Sequence, residues 1–146
     1  MAVVELNTAS SVISFARELE EKSSRFYEEL ARLFPQDETT YQKYVKDNRK
    51  YISQFETAYY SVISDAIEGC FAFKIKPEEY DFDTGIETGL EESKAVERAM
   101  AMEDMMCRFY TDAAEQSKSL MADVPRVFSL IARKRTERKQ QLESKR

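Results

Sequence analysis

The sequence predicts an all-α fold, a bundle of four helices. The chain of 146 residues has only three Gly and three Pro, with 34% charged and 42% hydrophobic residues, a composition typical of helical proteins. Apolar residues recur at intervals of three and four, the spacing of one helix face. The segment RFY occurs twice, at 25–27 and 108–110, which indicates a duplicated helical unit. We expect a single domain spanning residues 1–146.

The first helix is predicted to begin near Asn7 or Thr8 and to end before Pro35, because proline cannot continue a helix. Its inward face advances by alternating steps of four and three residues. The members of this face are Val12, Ala16, Leu19, Ser23, Phe26, Leu30 and Leu33. Glu20 and Tyr27 are expected to flank this face.

The second helix is predicted to follow Asp37, a residue type that often caps a helix N-terminus. Its face again has helical spacing. The members are Tyr41, Tyr44, Asn48, Tyr51, Phe55, Tyr59, Val62 and Ala66. Asn48 is the one amide on an otherwise aromatic and apolar face.

A long connection is predicted at about residues 68–89, where Pro77, Gly85 and short alternation interrupt the helical pattern. Helices that are neighbours in a hairpin need only a short loop. A segment of this length can instead run along the whole bundle, so that the third helix points in the same direction as the second.

The third helix is predicted to begin with a capping box formed by Thr88 and Glu91. Its face places a glutamate, Glu103, among apolar residues. The members are Val96, Ala99, Glu103, Met106, Tyr110 and Ala113.

The fourth helix is predicted to begin near Asp123, with Pro125 in its first turn, where the missing N–H is tolerated. Its face comprises Val127, Phe128, Ile131, Arg135, Arg138 and Leu142. Two arginines therefore stand where apolar residues are expected. Because the apolar signal weakens after Ala132, fraying or projection of the last turns is a competing interpretation.

The helix order and the repeated segment resemble the ferritin-like superfamily, and especially its rubrerythrin-like branch. A glutamate stands seven residues before a tyrosine in both the first and the third helix, as Glu20 with Tyr27 and as Glu103 with Tyr110. The resemblance covers essentially the whole chain. It implies a ferritin-like four-helix bundle with a long crossover between helices two and three.

In that family the first and third helices each provide one Glu, and the second and fourth each provide Glu-x-x-His, which together hold two iron or manganese ions. The positions that match this ligand set are Glu20, Asn48, Tyr51, Glu103, Arg135 and Arg138. The two single glutamates are retained. Asn48 and Tyr51 replace one Glu and His pair, and Arg135 and Arg138 replace the other.

These replacements predict that the metal site has been lost. The chain contains no histidine, the usual nitrogen ligand of such sites. A guanidinium about 4 Å from a divalent ion repels it by roughly 8 kcal/mol at an effective dielectric constant near 20. We therefore expect an internal cluster in which the two arginines take the place of the metals and bind the two glutamates, with Asn48 and Tyr51 as further donors.

We expect a metal-free protein without cofactor or catalytic residues, acting as a helical binding or assembly module, as a homodimer or with an unknown protein partner. The alternative is a divergent di-metal oxidoreductase of the rubrerythrin-like family, with oxygen or peroxide chemistry. Its iron or manganese would be bound by Glu20 and Glu103, assisted by Tyr51, Asp47 or Glu97. No rubredoxin-like CxxC module is present to deliver electrons to it.

Charge and hydropathy restrict the partners further. The net charge is −5, which argues against a main role in nucleic-acid binding. Residues 133–146 carry seven Lys or Arg and two Glu. We expect these charges to belong to a solvated helix end, the alternative being an arm for nucleic acid or an acidic partner. No apolar run approaches 18 residues and no signal-peptide pattern is present, so we expect a cytoplasmic protein without a membrane contact.

Overall fold

A computed structural model describes residues 4–62, 73–118 and 123–146 of the chain. Within these residues, four long helices form the fold: α1 (Ala9–Leu33), α2 (Glu38–Val62), α3 (Glu92–Ser117) and α4 (Val124–Glu143). Short 3-10 helices, Pro35–Asp37 and Pro77–Tyr80, precede α2 and α3. The predicted all-α four-helix bundle is confirmed. None of the helices in these ranges combines the length and the apolarity that a membrane span requires.

The bundle consists of two helical hairpins, because α1 packs mainly on α2 and α3 packs mainly on α4. Within the first hairpin, Asn48 of α2 binds Ser24 of α1. Further towards the C-terminus of α2, Glu56 binds Arg17 of α1. Because the residue numbers rise along one helix as they fall along the other, α1 and α2 run antiparallel.

Helix α3 also runs antiparallel to α1, since Glu20 binds Tyr110 and Tyr27 binds Glu103. Helices α2 and α3 are therefore parallel to each other. Parallel helices that follow one another in the chain need a connection running the length of the bundle. The predicted crossover between the second and third helices is confirmed.

The described part of this connection follows α1 from its first turn to beyond its last. Contacts occur in the order Ile75 with Leu6, Asp81 with Lys22, and Gln36 with Glu92 at the start of α3. The connection contributes to the core, because Phe73, Ile75 and Tyr80 are buried.

The predicted start of α1 is confirmed, because the Thr8 side chain accepts a hydrogen bond from the backbone N–H of Ser11 at 3.2 Å. The predicted capping box of α3 is wrong. Glu91 is itself the N-cap of α3, and no side chain caps its first turn. Thr88 lies instead in a turn with Gly89, whose φ of 82° favours glycine.

The end of α4 does not fray, which corrects the competing interpretation. The helix continues to Glu143, and Leu142 is completely buried. Polar residues after Ala132 weakened the apolar pattern, but two of them point inwards, as described below. The predicted face of α2 extends to Ala66, which lies outside the described residues.

Candidate functional site

All six residues singled out from the sequence lie together in the middle of the bundle. We call them, with the side chains they bind, the Glu/Arg cluster. They are the buried residues Glu20, Asn48, Tyr51, Glu103, Arg135 and Arg138, none more than 8% exposed. Glu20 and Tyr27 were expected only to flank the inward face of α1, but both are fully buried.

Arg135 is at the centre of the cluster and bridges the two carboxylates. Its Nη1 donates to both oxygens of Glu103 at 2.9 Å. Its Nη2 donates to Oε1 of Glu20 and, at 3.1 Å, to Oδ1 of Asn48. The planar guanidinium can make these contacts at once because its donors point in fixed, divergent directions. One side chain from α4 therefore joins α1, α2 and α3.

Arg138, one turn further along α4, lies beside Arg135 and nearer the edge of the bundle. Its Nη1 donates to Oδ1 of Asn48 at 2.9 Å and lies 3.5 Å from Oε2 of Glu103. Its guanidinium carbon lies within 6 Å of three tyrosine rings, which can stabilise a cation through their electron-rich faces. The distances to the ring centroids are 4.6 Å for Tyr44, 5.4 Å for Tyr27 and 5.6 Å for Tyr51.

The two tyrosines of the repeated RFY segments bind the glutamates crosswise. The Tyr27 hydroxyl of α1 donates to Glu103 of α3 at 2.5 Å. The Tyr110 hydroxyl of α3 donates to Glu20 of α1 at 2.5 Å. On each helix the tyrosine follows the glutamate by seven positions, which is about two turns. Because α1 and α3 are antiparallel, equal spacing brings each tyrosine opposite the glutamate of the other helix.

Asn48 connects the arginines to α1. Its carbonyl oxygen accepts from both arginines, and its amide nitrogen donates to the hydroxyls of Ser23 and Ser24 at 3.2 and 3.1 Å. An amide can accept and donate at opposite ends, so both ends of this buried side chain are satisfied. Among the described residues, the Nε of Arg135 is the one buried side-chain nitrogen or oxygen without a partner.

The buried charges balance, since two carboxylates face two guanidinium groups. Burial by itself lowers the pKa of Arg135, but the charges of Glu103 and Glu20 outweigh it and raise the pKa well above its usual value. Burial, followed by the charge of Glu103, raises the pKa of Tyr27 well above its usual value. Burial, followed by the charge of Glu20, also raises the pKa of Tyr110 well above its usual value. The arginines stay charged, and both tyrosines stay protonated donors.

The residues that would assist the alternative di-metal enzyme are not brought to this centre, with the exception of Tyr51. Asp47 pairs with Lys43 at 3.2 Å on the outer side of α2. Glu97 is exposed and pairs with Lys94 at 3.6 Å. Across the described residues, no group of three or more His, Cys, Asp or Glu is placed to hold a metal ion.

The basic segment 133–146 is largely engaged within the molecule. Arg135 and Arg138 are buried in the cluster. Four other cations form ion pairs, which are Lys134 with Glu137, Lys139 with Asp104, Lys145 with Asp37 and Arg146 with Glu143. Four of the seven cations, Arg135, Arg138, Lys139 and Lys145, therefore pair with carboxylates outside the segment, which weakens the interpretation as an arm for nucleic acid.

Reasoning from the sequence missed several members of the cluster. Tyr27 and Tyr110 were used only to mark the repeat, although their fixed spacing from a glutamate was the signal for the crosswise bonds. Ser23 was assigned to the inward face without a partner. Tyr44 was likewise assigned to the inward face without a partner, and Ser24 gave no signal, because helical periodicity identifies a face but not the polar partners across it.

A family model described as a ferritin-like domain matches residues 8–133 of the chain. Comparison with curated proteins and with solved structures gave no match.

Proposed function

The chain belongs to the family of ferritin-like domains, and we propose that it is a metal-free member of the rubrerythrin-like branch. In this proposal the Glu/Arg cluster stands where relatives of that branch hold two metal ions. The protein then acts as a non-catalytic helical module in the cytoplasm, for binding or for assembly. The observation that carries the proposal is the position of the Arg135 guanidinium between the carboxylates of Glu20 and Glu103.

The side chains of the cluster do not form a suitable ligand set for two metal ions. Every carboxylate oxygen already accepts a hydrogen bond, from Arg135 or Tyr110 at Glu20 and from Arg135 or Tyr27 at Glu103. A metal ion would have to displace these donors and then face two guanidinium charges. The remaining positions offer an amide and a phenol that stays protonated, which are poor substitutes for carboxylate and imidazole ligands.

The cluster also explains how the bundle can remain folded without a metal. Two buried carboxylates without partners would cost several kcal/mol each. Arg135 compensates both at once through charge-assisted hydrogen bonds, and the two tyrosines complete their coordination. In this proposal Arg135 of α4 takes over the structural role of a metal ion, which is to hold the four helices around a polar centre.

We propose further that the module assembles as a homodimer through α2. Tyr60 supports this proposal, because its ring is 64% exposed on that helix and exposed aromatic rings are enriched at protein interfaces. Sedimentation velocity measures the state of the protein. We expect a dimer that dissociates in Tyr60→Ser, whereas a natural chain that sediments as a monomer at all accessible concentrations contradicts this part of the proposal.

The non-catalytic role is tested against the oxidoreductase alternative by measuring peroxide and oxygen consumption. The protein is prepared from iron-rich and from manganese-rich medium and compared with the double variant Glu20→Gln/Glu103→Gln. We expect no consumption above that of buffer with the same metal. Turnover by the natural chain that disappears in the double variant would overturn the proposal.

A further inference from the structure

A cavity of about 360 Å³ lies between α2 and α4, immediately outside the Glu/Arg cluster. We call it the α2–α4 cavity. Its charged lining residues are Lys43, Lys50, Lys134, Arg138, Asp47 and Glu137. Four cations and two carboxylates give this lining a net charge of +2, although the chain as a whole carries −5. A concave site of opposite sign to the rest of the molecule attracts anions selectively.

Arg138 is the innermost cation of the cavity. Its side chain is only 3% exposed, so its charge lies at the base rather than at the rim. The nearest carboxylate oxygen, Oε2 of Glu103, is 3.5 Å away and is bound more closely by Arg135 at 2.9 Å and by Tyr27 at 2.5 Å. The terminal nitrogens of Arg138 donate to neutral oxygens, Nη1 to Oδ1 of Asn48 at 2.9 Å and Nη2 to the carbonyl oxygen of Tyr44 at 3.4 Å. Arg138 is therefore the less fully neutralised of the two buried arginines, and a further anion would supply the negative charge that these acceptors lack.

The lysines at the rim are free to turn towards such an anion. Asp47 is shared between Lys43 at 3.2 Å and Lys50 at 4.0 Å. Lys134 lies 3.8 Å from Glu137. The pairs of Lys50 and Lys134 are long, and the side chains of Lys43, Lys50 and Lys134 are 67%, 63% and 49% exposed. Exposed pairs of this kind contribute little to stability and exchange partners readily.

The size and the wall of the cavity indicate a small organic molecule rather than a polymer. Its volume of about 360 Å³ is near the lower end of the range of small-molecule sites. Tyr44 and Tyr51 form part of its lining and offer aromatic surface to the uncharged part of a ligand.

We propose that the α2–α4 cavity binds a small molecule that carries an oxyanion, a phosphate or a carboxylate group, which lies against Arg138 and is held at the rim by Lys43, Lys50 and Lys134. A guanidinium matches the paired oxygens of both groups, and lysine adds charge without a fixed geometry. This proposal specifies the ligand of the binding role proposed above. It rests on that proposed function in one respect, namely that Arg138, and not a metal ion, is the cation of the inner wall.

The proposal is tested by titrating the full-length protein with inorganic phosphate, with citrate or with chloride at equal ionic strength. Amide signals are followed in two-dimensional nitrogen–proton spectra. We expect phosphate or citrate to shift the signals of residues 43–54 and 134–141, and chloride to leave them unchanged. A response to phosphate alone identifies a phosphate ligand, and a response to citrate alone identifies a carboxylate ligand.

A pair of matched variants separates the cavity from general charge effects. Lys43→Gln/Lys50→Gln removes two rim cations. The control Lys94→Gln/Lys118→Gln removes two exposed lysines, one in α3 and one at its C-cap, which also pair with carboxylates of their own segment. We expect affinity to fall about tenfold in the first variant and to stay unchanged in the second. Equal weakening in both variants, or no localised shift with either anion, would overturn the proposal.

Metal content measured on the same samples keeps this proposal separate from the proposed function. Bound iron or manganese in the natural chain would contradict the metal-free role whatever the anions do. A metal-free protein that ignores both anions would contradict only the ligand site.

Discussion

The two helical hairpins contribute differently to one buried cluster. Helices α1 and α3 are equivalent, since each provides a glutamate and, seven residues later, a tyrosine that binds the glutamate of the other. Helices α2 and α4 are not equivalent. Helix α2 provides the neutral residues Asn48 and Tyr51, whereas α4 provides Arg135 and Arg138 at the corresponding positions.

This difference gives the hairpins opposite buried charges. The α1–α2 hairpin carries the single negative charge of Glu20, and the α3–α4 hairpin carries a net positive charge of one from Glu103 and the two arginines. Neither hairpin can bury its half of the cluster alone without an uncompensated charge, which costs several kcal/mol. In the proposed replacement of the metals by side chains, each hairpin keeps one glutamate as acceptor, whereas both cations come from α4.

The largest effect is expected for Arg135→Met, which keeps the length of the side chain and removes its charge. Glu20 and Glu103 would then remain buried with little compensation, so the free energy of unfolding should fall by about 3–5 kcal/mol. Urea unfolding followed by circular dichroism measures this loss. Arg133→Met, an exposed site two residues earlier, is the control, with an expected change of about 0.5 kcal/mol or less. Equal effects at the two sites would contradict the central role of Arg135.

The two glutamates should differ in the same assay. Glu103 binds both arginines and Tyr27, whereas Glu20, among the described residues, binds one arginine, Arg135, and Tyr110. Glu103→Gln should therefore destabilise the protein more than Glu20→Gln, by about 1 kcal/mol. The reverse order would show that the charge distribution across the hairpins has been assigned wrongly.

The tyrosines should be equivalent, which tests the symmetric half of the comparison. Tyr27→Phe and Tyr110→Phe each remove one hydrogen bond to a buried carboxylate, so each should cost about 1.5–3 kcal/mol. Tyr60→Phe, at an exposed ring, is the control and should have almost no effect. A large cost at only one of the two cluster tyrosines would argue against the crosswise pairing.

High pH should reveal the same two phenols. Their pKa values are raised in the folded protein by burial and by the neighbouring carboxylates, whereas an unfolded tyrosine has a pKa of about 10. Their contribution is therefore complete below pH 10 and is lost as the pH rises further, by about 1.4 kcal/mol per pH unit and tyrosine. Urea unfolding between pH 9 and about pH 11 should show this decline, and Tyr27→Phe/Tyr110→Phe should make it shallower. An unchanged slope would contradict the buried positions of these hydroxyls.

Helical spacing predicted the bundle, and the length of the connection predicted the crossover. The six central residues were proposed from the resemblance to the ferritin-like family, and the structure buries all six. The sequence also predicted that the arginines bind the glutamates. It did not predict the crosswise tyrosine bonds, and it assigned Asn48 as a donor to the glutamates, whereas its carbonyl oxygen accepts from both arginines.

Periodicity treats Arg135 and Arg138 as polar residues, so it left a frayed helix end as a competing interpretation, where the structure has a buried helix end. The capping box failed for a related reason, since Thr88 and Glu91 have the right spacing but Gly89 adopts a turn. Local patterns identify faces, whereas partners on other helices decide which polar residues are buried.

The most direct test of the account is the metal content of the natural chain and of a variant with the ligand set of the family restored, Asn48→Glu/Tyr51→His/Arg135→Glu/Arg138→His. Both are expressed in iron-rich and manganese-rich media, dialysed and analysed by plasma emission, with circular dichroism to establish that the variant is helical. The account predicts no retained metal in the natural chain and about two ions per chain in the variant. Near-stoichiometric metal in the natural chain, or a folded variant that binds none, would contradict it.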